Sequence, residues 1–333
     1  MSVDPASLHL ALIFTVTLAA NLALTGLVRL WLLRRQILDR PNERSAHAVP
    51  VPRGGGIATL LVLLPAWLYV ESTLWPILAA ALLLAAAGWW DDVKGLGAWP
   101  KLACQVVAVA AGLYFLGPIT GGLLPVPLDL ALAGIAWLWF VNLYNFMDGI
   151  DGIAGVEAIS IGLGLAVIGL WFASFGDLAA LGVALSGTTL GFLFWNWHPA
   201  KLFLGDVGSQ ALGFMIGFLL LRMAAEGGWA AALILPLYFL ADATWTLAKR
   251  LKAGENVMQA HAQHIYQEAV RRGRNHAQVA TAVLVGNIAL VLFALGAEMG
   301  ERSVSLAGAA LTVFVLARRL LTPPLSASPT ERN

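Results

Sequence analysis

Long apolar stretches separated by short polar connections make up most of this chain. Eleven stretches are long enough, or nearly so, to cross a hydrocarbon core, which requires about 20 residues of α-helix. They lie at 7–33, 55–72, 74–90, 101–117, 128–146, 154–175, 177–195, 207–224, 228–248, 277–297 and 302–320. This pattern predicts an all-α integral membrane protein with ten or eleven transmembrane helices.

The composition excludes a soluble globular domain. Of the 333 residues, 59% are hydrophobic and 12% are charged, and the mean hydropathy is +0.78, whereas soluble domains carry about 25% charged residues. The single cysteine, Cys104, lies inside the fourth apolar stretch, which excludes an intramolecular disulfide and a thiolate metal cage. The first stretch has no basic segment before it, so we expect a retained span rather than a cleaved signal peptide.

The positive charges predict the orientation of the chain. Of its 20 Lys and Arg residues, all but Arg222 and Arg302 lie at or beyond the ends of the odd-numbered stretches. By the positive-inside rule, the N-terminus is predicted outside and the C-terminus in the cytoplasm. No linker or repeat divides the sequence, so residues 1–333 are predicted to form a single polytopic domain.

Five polar loops and the charged tail fall on the predicted cytoplasmic face. The loops are 34–56, 89–101, 142–155, 196–209 and 248–276. The connections on the other face are short, apart from 117–127. We therefore expect the cytoplasmic loops to hold the functional site.

Five aspartates in these loops are candidate metal ligands or catalytic groups. Asp91 and Asp92 are adjacent, Asp148 and Asp151 are three residues apart with a glycine after each, and Asp206 begins a predicted helix. Carboxylates suit Mg²⁺ or Mn²⁺, and Mg²⁺ is often shared with substrate phosphates. The simpler alternatives are a solvated helix end for Asp91 and Asp92 and helix capping for Asp206.

Basic residues in the same loops suit phosphate. His47 and Arg53, with Arg40 and Arg44, precede the triplet Gly54–Gly56, whose backbone N–H groups are expected to cradle phosphate oxygens. His261 and His264 lie between Lys249, Arg250 and Lys252 on one side and Arg271, Arg272 and Arg274 on the other. We expect an anion-facing surface there that titrates near neutral pH.

Acidic and basic groups on one membrane face together indicate a metal-assisted reaction of a phosphorylated substrate. The metal would bridge phosphate oxygens and offset charge during an in-line displacement.

Taken together, the motifs in these loops resemble those of a known family. The carrying segments are DRPNERSAHAVPVPRGGG, WWDDVKGLGAWPKLACQ, NLYNFMDGIDGIAG, LFLGDVGS, the stretch with Asp242, Lys249 and Arg250, and AHAQHIYQ, in family order from residue 39 to 267. They resemble the polyprenyl-phosphate N-acetylhexosamine-1-phosphate transferases of glycosyltransferase family 4, in particular the bacterial branch that initiates O-antigen synthesis. The separated histidines differ from the consecutive histidines of the peptidoglycan enzymes, which argues against a UDP-linked peptide substrate.

The resemblance implies a role for each matched residue. Asp91, Asp92, Asp148, Asp151, His261 and His264 match catalytic positions, and Asp206 and Asp148 match metal-binding ones. Substrate binding is implied for Asn145, Lys101, His47, Arg53 and Arg250.

The implied reaction transfers an N-acetylhexosamine 1-phosphate from a UDP-sugar to undecaprenyl phosphate and releases UMP. The implied cofactor is Mg²⁺, with Mn²⁺ as an alternative. The implied partners are the two substrates and the lipid bilayer of the bacterial inner membrane, with no nucleic acid. The sugar and a homodimeric state are left open.

Three other classes remain as alternatives. A secondary transporter or lipid-carrier flippase would place its ionisable groups near the membrane midplane, whereas here they cluster at helix ends. CDP-alcohol phosphotransferases carry a longer aspartate motif that is not found around Asp148. A structural or regulatory membrane protein with a degenerate site would not need every motif residue.

Overall fold

A computed structural model describes residues 5–39, 49–256 and 261–323, and this part of the chain is almost entirely helical. The α-helices are α1 (Pro5–Arg34), α2 (Gly56–Val70), α3 (Trp75–Lys94), α4 (Ala98–Leu116), α5 (Val126–Phe146), α6 (Ile153–Trp171), α7 (Gly176–Asn196), α8 (Asp206–Met223), α9 (Trp229–Ile234), α10 (Leu237–Lys252), α11 (Ile265–Arg271), α12 (His276–Glu298) and α13 (Arg302–Leu321). Short 3₁₀-helices at Ser72–Leu74 and Ala173–Phe175 precede α3 and α7, and a π-helical turn at Ala224–Gly228 follows α8. Strands β1 (Leu38–Asp39) and β2 (Val51–Pro52) pair antiparallel, with Leu38 opposite Pro52.

The predicted all-α fold is confirmed for the described residues, and its long apolar helices are consistent with an integral membrane protein. In the described ranges, nine helices are long and apolar enough to cross a membrane, counting Asp206–Ile234 as one. Each of the eleven predicted stretches contains helix. Helix α2, with 15 residues, is shorter than a full span.

The prediction of one continuous span at 228–248 is wrong. Helix α9 ends at Ile234 and α10 begins at Leu237, on either side of Pro236. Proline lacks the N–H that would continue the helix. Leu235 keeps helical backbone angles, and the backbone departs from them at Pro236, with φ −92° and ψ 15°. Helix α10 buries Asp242 and ends in basic residues, so it carries polar groups toward the loop at 248–276.

Helices α6, α7 and α8 form the centre of the bundle. Helix α7 packs against α6 and α1, and α8 packs against α3 and α5. Gly162 on α6 and Gly182 on α7 face each other so closely that a Cβ on either would lie within 2.7 Å of the other's carbonyl oxygen. Small residues allow this close approach where the hydrophobic effect does not drive helix association.

The outer helices expose large apolar side chains that suit contact with lipid. They include Leu27 on α1, Val107 on α4, Ile135 on α5 and Leu311 on α13. Because the surrounding lipid is itself apolar, these exposed residues need no protein partner.

Candidate active site

Two cavities open among the polar loops, and they share two wall residues. The smaller, of about 310 Å³, is mainly polar and is lined by Asp39, Arg53, Asn145, Asp148, Gly149, Ile150, Asp151, Asn196, Phe203, Gly205, Asp206, Gln267 and His276. The larger, of about 650 Å³, is lined by Asp91, Ala98, Lys101, Leu102, Gln105, Leu138, Trp139, Asn142, Asn145, Phe146, Asp206, Gln210, Leu247, His261 and His264. Asn145 and Asp206 belong to both cavities.

Asp206 is contacted by two cations and an amide. It is the first residue of α8, after Gly205, whose φ of +76° favours glycine. Its Oδ1 lies 2.6 Å from Nη2 of Arg53, and its Oδ2 lies 3.2 Å from Nζ of Lys101. Gln210, one turn further along α8, donates to Oδ2 at 3.3 Å. Two cations, one just before α2 and one in the first turn of α4, therefore hold the carboxylate of Asp206.

Asp92 caps helix α8 from outside the helix. Its Oδ1 accepts the backbone N–H of Asp206 at 3.0 Å, and its Oδ2 accepts that of Val207 at 3.0 Å. Nε of Arg53 lies 2.7 Å from Oδ1, and the side chain of Asp92 is 0% exposed. Helix capping was the simpler alternative for Asp206. The N-terminus of α8 is indeed capped, but the cap is Asp92 and not Asp206. Asp92 lines neither cavity, and its geometry assigns it to positioning Asp206 and Arg53.

Asp91, the adjacent residue, faces the larger cavity. Its Oδ1 accepts the backbone N–H of Leu96 at 2.5 Å, and its Oδ2 lies 2.7 Å from Nζ of Lys101. Lys101 therefore bridges Asp91 and Asp206, as Arg53 bridges Asp92 and Asp206.

The glycine triplet does not form the predicted phosphate cradle. Gly54 and Gly55 donate their N–H groups to the carbonyl of Phe203 at 3.2 and 2.8 Å, and Gly56 donates to that of Leu204 at 2.8 Å. A Cβ on Gly56 would overlap the backbone of Gly208. The glycines are required because the start of α2 packs directly against the segment that places Asp206.

Asp148 presents its carboxylate to the smaller cavity. Within the described ranges it has no hydrogen-bond or ion-pair partner for this carboxylate, although the residue is only partly exposed. Burial raises the pKa of Asp148 well above its usual range, Arg53 opposes the rise, and the nearby carboxylates of Asp206 and Asp92 add to it. A cation beside Asp148 would relieve this cost.

Asp151 lies in the same loop and is held by two histidines. Its Oδ2 lies 2.7 Å from Nδ1 of His198 and 3.2 Å from Nδ1 of His276, and it accepts the N–H of Ala200 at 3.1 Å. Burial alone would raise the pKa of Asp151, but the hydrogen bonds from His276 and His198 lower it below the usual value. The sequence interpretation did not single out either histidine.

Asn145 and its neighbours belong to an amide network along the larger cavity. Nδ2 of Asn145 donates to the hydroxyl of Ser209 at 2.7 Å. Asn142 donates to Gln105 at 2.8 Å, and Gln105 in turn approaches Gln210 at 3.5 Å. Gln105, Gln210 and Ser209 lie in or beside the matched motifs. Because they are uncharged, the sequence alone did not indicate that they belong to the site.

His261 and His264 both line the larger cavity. Nδ1 of His264 lies 3.3 Å from Oδ1 of Asp242, which also accepts the backbone N–H of Ile265 at 2.9 Å. Burial, together with the charges of His264 and Arg250, lowers the pKa of His261 to about 4. His261 is therefore neutral at pH 7, and the expectation that it titrates near neutral pH is wrong.

Other basic residues hold the loops together. Arg250 is buried, lines neither cavity and contacts Glu255 at 2.8 Å and the carbonyl of Asn256 at 2.8 Å. Arg274 donates to the carbonyls of Arg319 at 2.7 Å and Thr322 at 2.9 Å, at the C-terminal end of α13, where the helix dipole favours a cation.

Three of the predicted basic positions cannot be placed. Arg40, Arg44 and the predicted substrate-binding residue His47 lie outside the described residues.

Comparison with known proteins agrees with this arrangement. Residues 74–224 match the family model of glycosyl transferase family 4. The chain is 31% identical to the decaprenyl-phosphate N-acetylglucosaminephosphotransferase of Mycolicibacterium smegmatis, over 82% of this chain and 77% of that protein. It is 28% identical to the probable undecaprenyl-phosphate N-acetylglucosaminyl 1-phosphate transferase of Bacillus subtilis, over 82% and 80%. It is 34% identical to the phospho-N-acetylmuramoyl-pentapeptide-transferase of Thermosynechococcus vestitus, over 57% and 54%.

None of these relatives' names supports the homodimer that the sequence left open.

The matched family model, the bundle of apolar helices and the clustered motif residues all support the same family assignment. The chain belongs to the polyprenyl-phosphate hexosamine-1-phosphate transferases of glycosyl transferase family 4.

Proposed function

We propose that this protein transfers an N-acetylhexosamine 1-phosphate from a UDP-sugar to undecaprenyl phosphate. The observation that carries the proposal is the pair of cavities of different polarity that share Asn145 and Asp206. Two substrates of different polarity can thus approach one carboxylate from two sides. The names of the relatives supply the substrate classes, polyprenyl phosphate and N-acetylglucosamine phosphate.

The larger cavity suits the lipid phosphate. Its apolar wall includes Leu102, Leu138 and Leu247, while Lys101 and Asp91 stand at its polar end. An isoprenoid chain would stay against the apolar wall as its phosphate reaches Lys101. The smaller cavity, with Arg53 beside its carboxylates, suits the nucleotide-sugar.

The residues of the smaller cavity fit Mg²⁺, with Mn²⁺ as a substitute. Asp148 offers a carboxylate without a partner in the described chain, and Asp206 offers two oxygens that cations already contact. Hard oxygen donors beside a phosphate site are the surroundings that Mg²⁺ prefers. Asp148 and Asp206 would hold the ion, which would supply positive charge to the diphosphate.

The proposed transfer forms one P–O bond and breaks another. An oxygen of the lipid phosphate attacks the sugar-side phosphorus of the UDP-sugar, and the bond from that phosphorus to the UMP oxygen breaks. Arg53 and Lys101 contact Asp206 from two separate segments, so their charges can stabilise the phosphate oxygens as charge redistributes. Asp91 orients Lys101 toward the lipid phosphate.

The location follows from the same chemistry. We place the loops on the cytoplasmic face of a bacterial inner membrane, with the N-terminus outside and the C-terminus in the cytoplasm, because Lys and Arg concentrate on the loop face. There a cytosolic nucleotide can meet a lipid whose tail stays in the bilayer. The product would initiate an O-antigen or another cell-envelope polysaccharide.

The test is UMP release by purified protein with undecaprenyl phosphate, a panel of UDP-N-acetylhexosamines and Mg²⁺. Release should require both substrates, stop on chelation and return with Mg²⁺ or Mn²⁺. Asp206→Asn should abolish it while the protein remains folded in detergent. Turnover unchanged by Asp206→Asn would refute the assignment, and lipid redistribution without UMP release would favour a transporter.

A further inference from the structure

Glu157 is an acidic side chain in the interior of the helix bundle, away from both cavities. It lies on α6 and is 0% exposed. Its Oε2 accepts a hydrogen bond from Nδ2 of Asn287, on α12, at 2.7 Å. Its Oε1 is buried and has no hydrogen-bond partner among the described residues. Both α6 and α12 are candidate membrane spans, so the chemistry of the loops does not account for this acid.

Asn287 has a complementary unpaired atom. Its Oδ1 is also buried and lacks a partner within the described part of the chain. A carboxylate and an amide oxygen only accept hydrogen bonds, so two acceptors are unpaired on groups that already share one hydrogen bond. A single proton on Oε1 would turn that oxygen into a donor for Oδ1. Two hydrogen bonds side by side would then satisfy both groups.

The surroundings of Glu157 favour the neutral acid. Within the described ranges no cation forms an ion pair with it, and its contact is with an uncharged amide. An ionised carboxylate inside a membrane bundle is costly without a cation, and such a group takes up a proton instead. A water between the two oxygens is the alternative, because it has two hydrogens to donate. It would, however, leave a buried negative charge without a partner.

The pair joins α12 to α6 on the face that carries a wall residue of the smaller cavity. Asn287 follows His276 by eleven residues, which is about three helical turns, so both lie on one face of α12. Helix α12 packs against α6. His276 lines the smaller cavity and contacts Asp151, six residues before Glu157. The face of α12 is therefore held at two levels, one at the cavity and one inside the bundle.

We propose that Glu157 is a neutral carboxylic acid in a reciprocal pair with Asn287, and that this pair positions His276 in the wall of the smaller cavity. The protonation state is independent of the proposed function, whereas the effect on the substrate rests on it. His276 is the first residue of α12, so a looser contact between α12 and α6 would displace that wall. No residue of α12 lines the larger cavity, so the site assigned to the lipid phosphate should be affected less.

Infrared difference spectroscopy tests the protonation state at pH 7. A protonated carboxyl group absorbs at a higher C=O stretching frequency than a carboxylate or an amide. We expect a carboxylic-acid band in the wild-type spectrum that Glu157→Gln removes and that Ser160→Ala keeps. Ser160 is a matched control because it is buried on the same helix and donates to the carbonyl of Val156, within α6, at 2.8 Å. Other protonated acids contribute equally to these spectra and cancel in the difference.

Kinetics with the same variants test positioning. Glu157→Gln can still pair with Asn287 as one amide with another, so kcat and both KM values should stay within twofold of wild type. Glu157→Leu leaves the amide of Asn287 unpaired, and we expect the KM for the UDP-sugar to rise about tenfold. The KM for undecaprenyl phosphate should change less than twofold, and Ser160→Ala should match wild type. If Glu157→Leu does not fold, the double variant Glu157→Leu with Asn287→Leu, which leaves no polar group unpaired, should show the same rise.

Several outcomes would overturn the proposal. Absence of a carboxylic-acid band from Glu157 would show that the group is ionised, and UMP release that depended on Na⁺ or K⁺ would then identify a bound cation. An unchanged KM for the UDP-sugar in both leucine variants, equal rises for the two substrates, or equal losses in Glu157→Gln and Glu157→Leu would refute the positioning role. Failure of the proposed function looks different, because wild-type protein would release no UMP while the infrared band remained.

Discussion

The adjacent residues Asp91 and Asp92 provide a matched test of how the site is built. The structure assigns Asp92 to holding helix α8 and Asp91 to the cavity. The same substitution, to asparagine, should therefore have different consequences at two neighbouring positions on one helix.

The expected magnitude follows from the contacts of Asp92. In Asp92→Asn an amide N–H₂ replaces one oxygen, so a buried backbone N–H of α8 loses its acceptor, at a cost of about 1–3 kcal/mol. The weakened contact with Arg53 adds a smaller amount, because the Arg53 side chain is 35% exposed. We expect Asp92→Asn to lose about 2–4 kcal/mol of unfolding free energy.

Asp91→Asn should lose less than about 1 kcal/mol. Its remaining oxygen can still accept the N–H of Leu96, and Lys101 keeps its contact with Asp206. Its main effect should be slower UMP release at limiting undecaprenyl phosphate.

The assay is unfolding by sodium dodecyl sulfate in mixed micelles, followed for wild type and both variants, with initial rates of UMP release measured on the same preparations. Equal stability of the two variants would refute the assignment of Asp92 as the cap of α8. So would a destabilised Asp91→Asn beside an unaffected Asp92→Asn.

Three further predictions follow from the packing and charges of the site. Gly56→Ala should cost about 1–3 kcal/mol of stability and reduce UMP release, because its Cβ would overlap the start of α8. The control is Gly176→Ala, whose Cβ would meet no atom within 4 Å and which should change neither stability nor UMP release. Equal effects of the two substitutions would contradict the packing argument. The ratio of wild-type to His261→Asn activity should stay constant from pH 6 to 8.5 and change only as the pH falls toward the pKa of about 4; a change through pH 6.5 would show that His261 titrates there. Lys101→Met should strengthen Mn²⁺ binding about fivefold in electron paramagnetic resonance titrations without substrate, because it removes a cation from Asp206, and weaker binding would contradict this competition.

The hydrophobic pattern predicted the helices well because spanning a membrane is a local property of composition and length. It failed at 228–248, where Pro236 divides the helix. Pro236 is present in the sequence, but the hydrophobicity of the whole stretch is high, so the hydrophobic pattern alone did not indicate a break in the helix.

The site was predictable in its membership and less so in its roles. Asp91, Asp206 and Lys101 do come together, because charged residues in short loops on one membrane face have few other places to lie. The function of Asp92 as a cap was not predictable, since it joins helices more than 110 residues apart in the chain.

The glycine triplet shows why a motif alone misleads about backbone groups. Consecutive glycines signal either a ligand near the backbone or another segment of protein near it. Here the neighbours are the carbonyls of Phe203 and Leu204 and the start of α8. His198 and His276 were missed for a related reason, since each is a single histidine until the fold brings both to Asp151.

In the proposed reaction, two substrates meet at Asp206 and exchange a sugar phosphate. It is tested most directly with a UDP-N-acetylhexosamine labelled at its sugar-side phosphorus, incubated with the purified protein, undecaprenyl phosphate and Mg²⁺. The label should move into the lipid while unlabelled UMP is released in equal amount. Release of labelled UDP, or label that stays in the aqueous phase, would show that the protein does not transfer the sugar phosphate to the lipid.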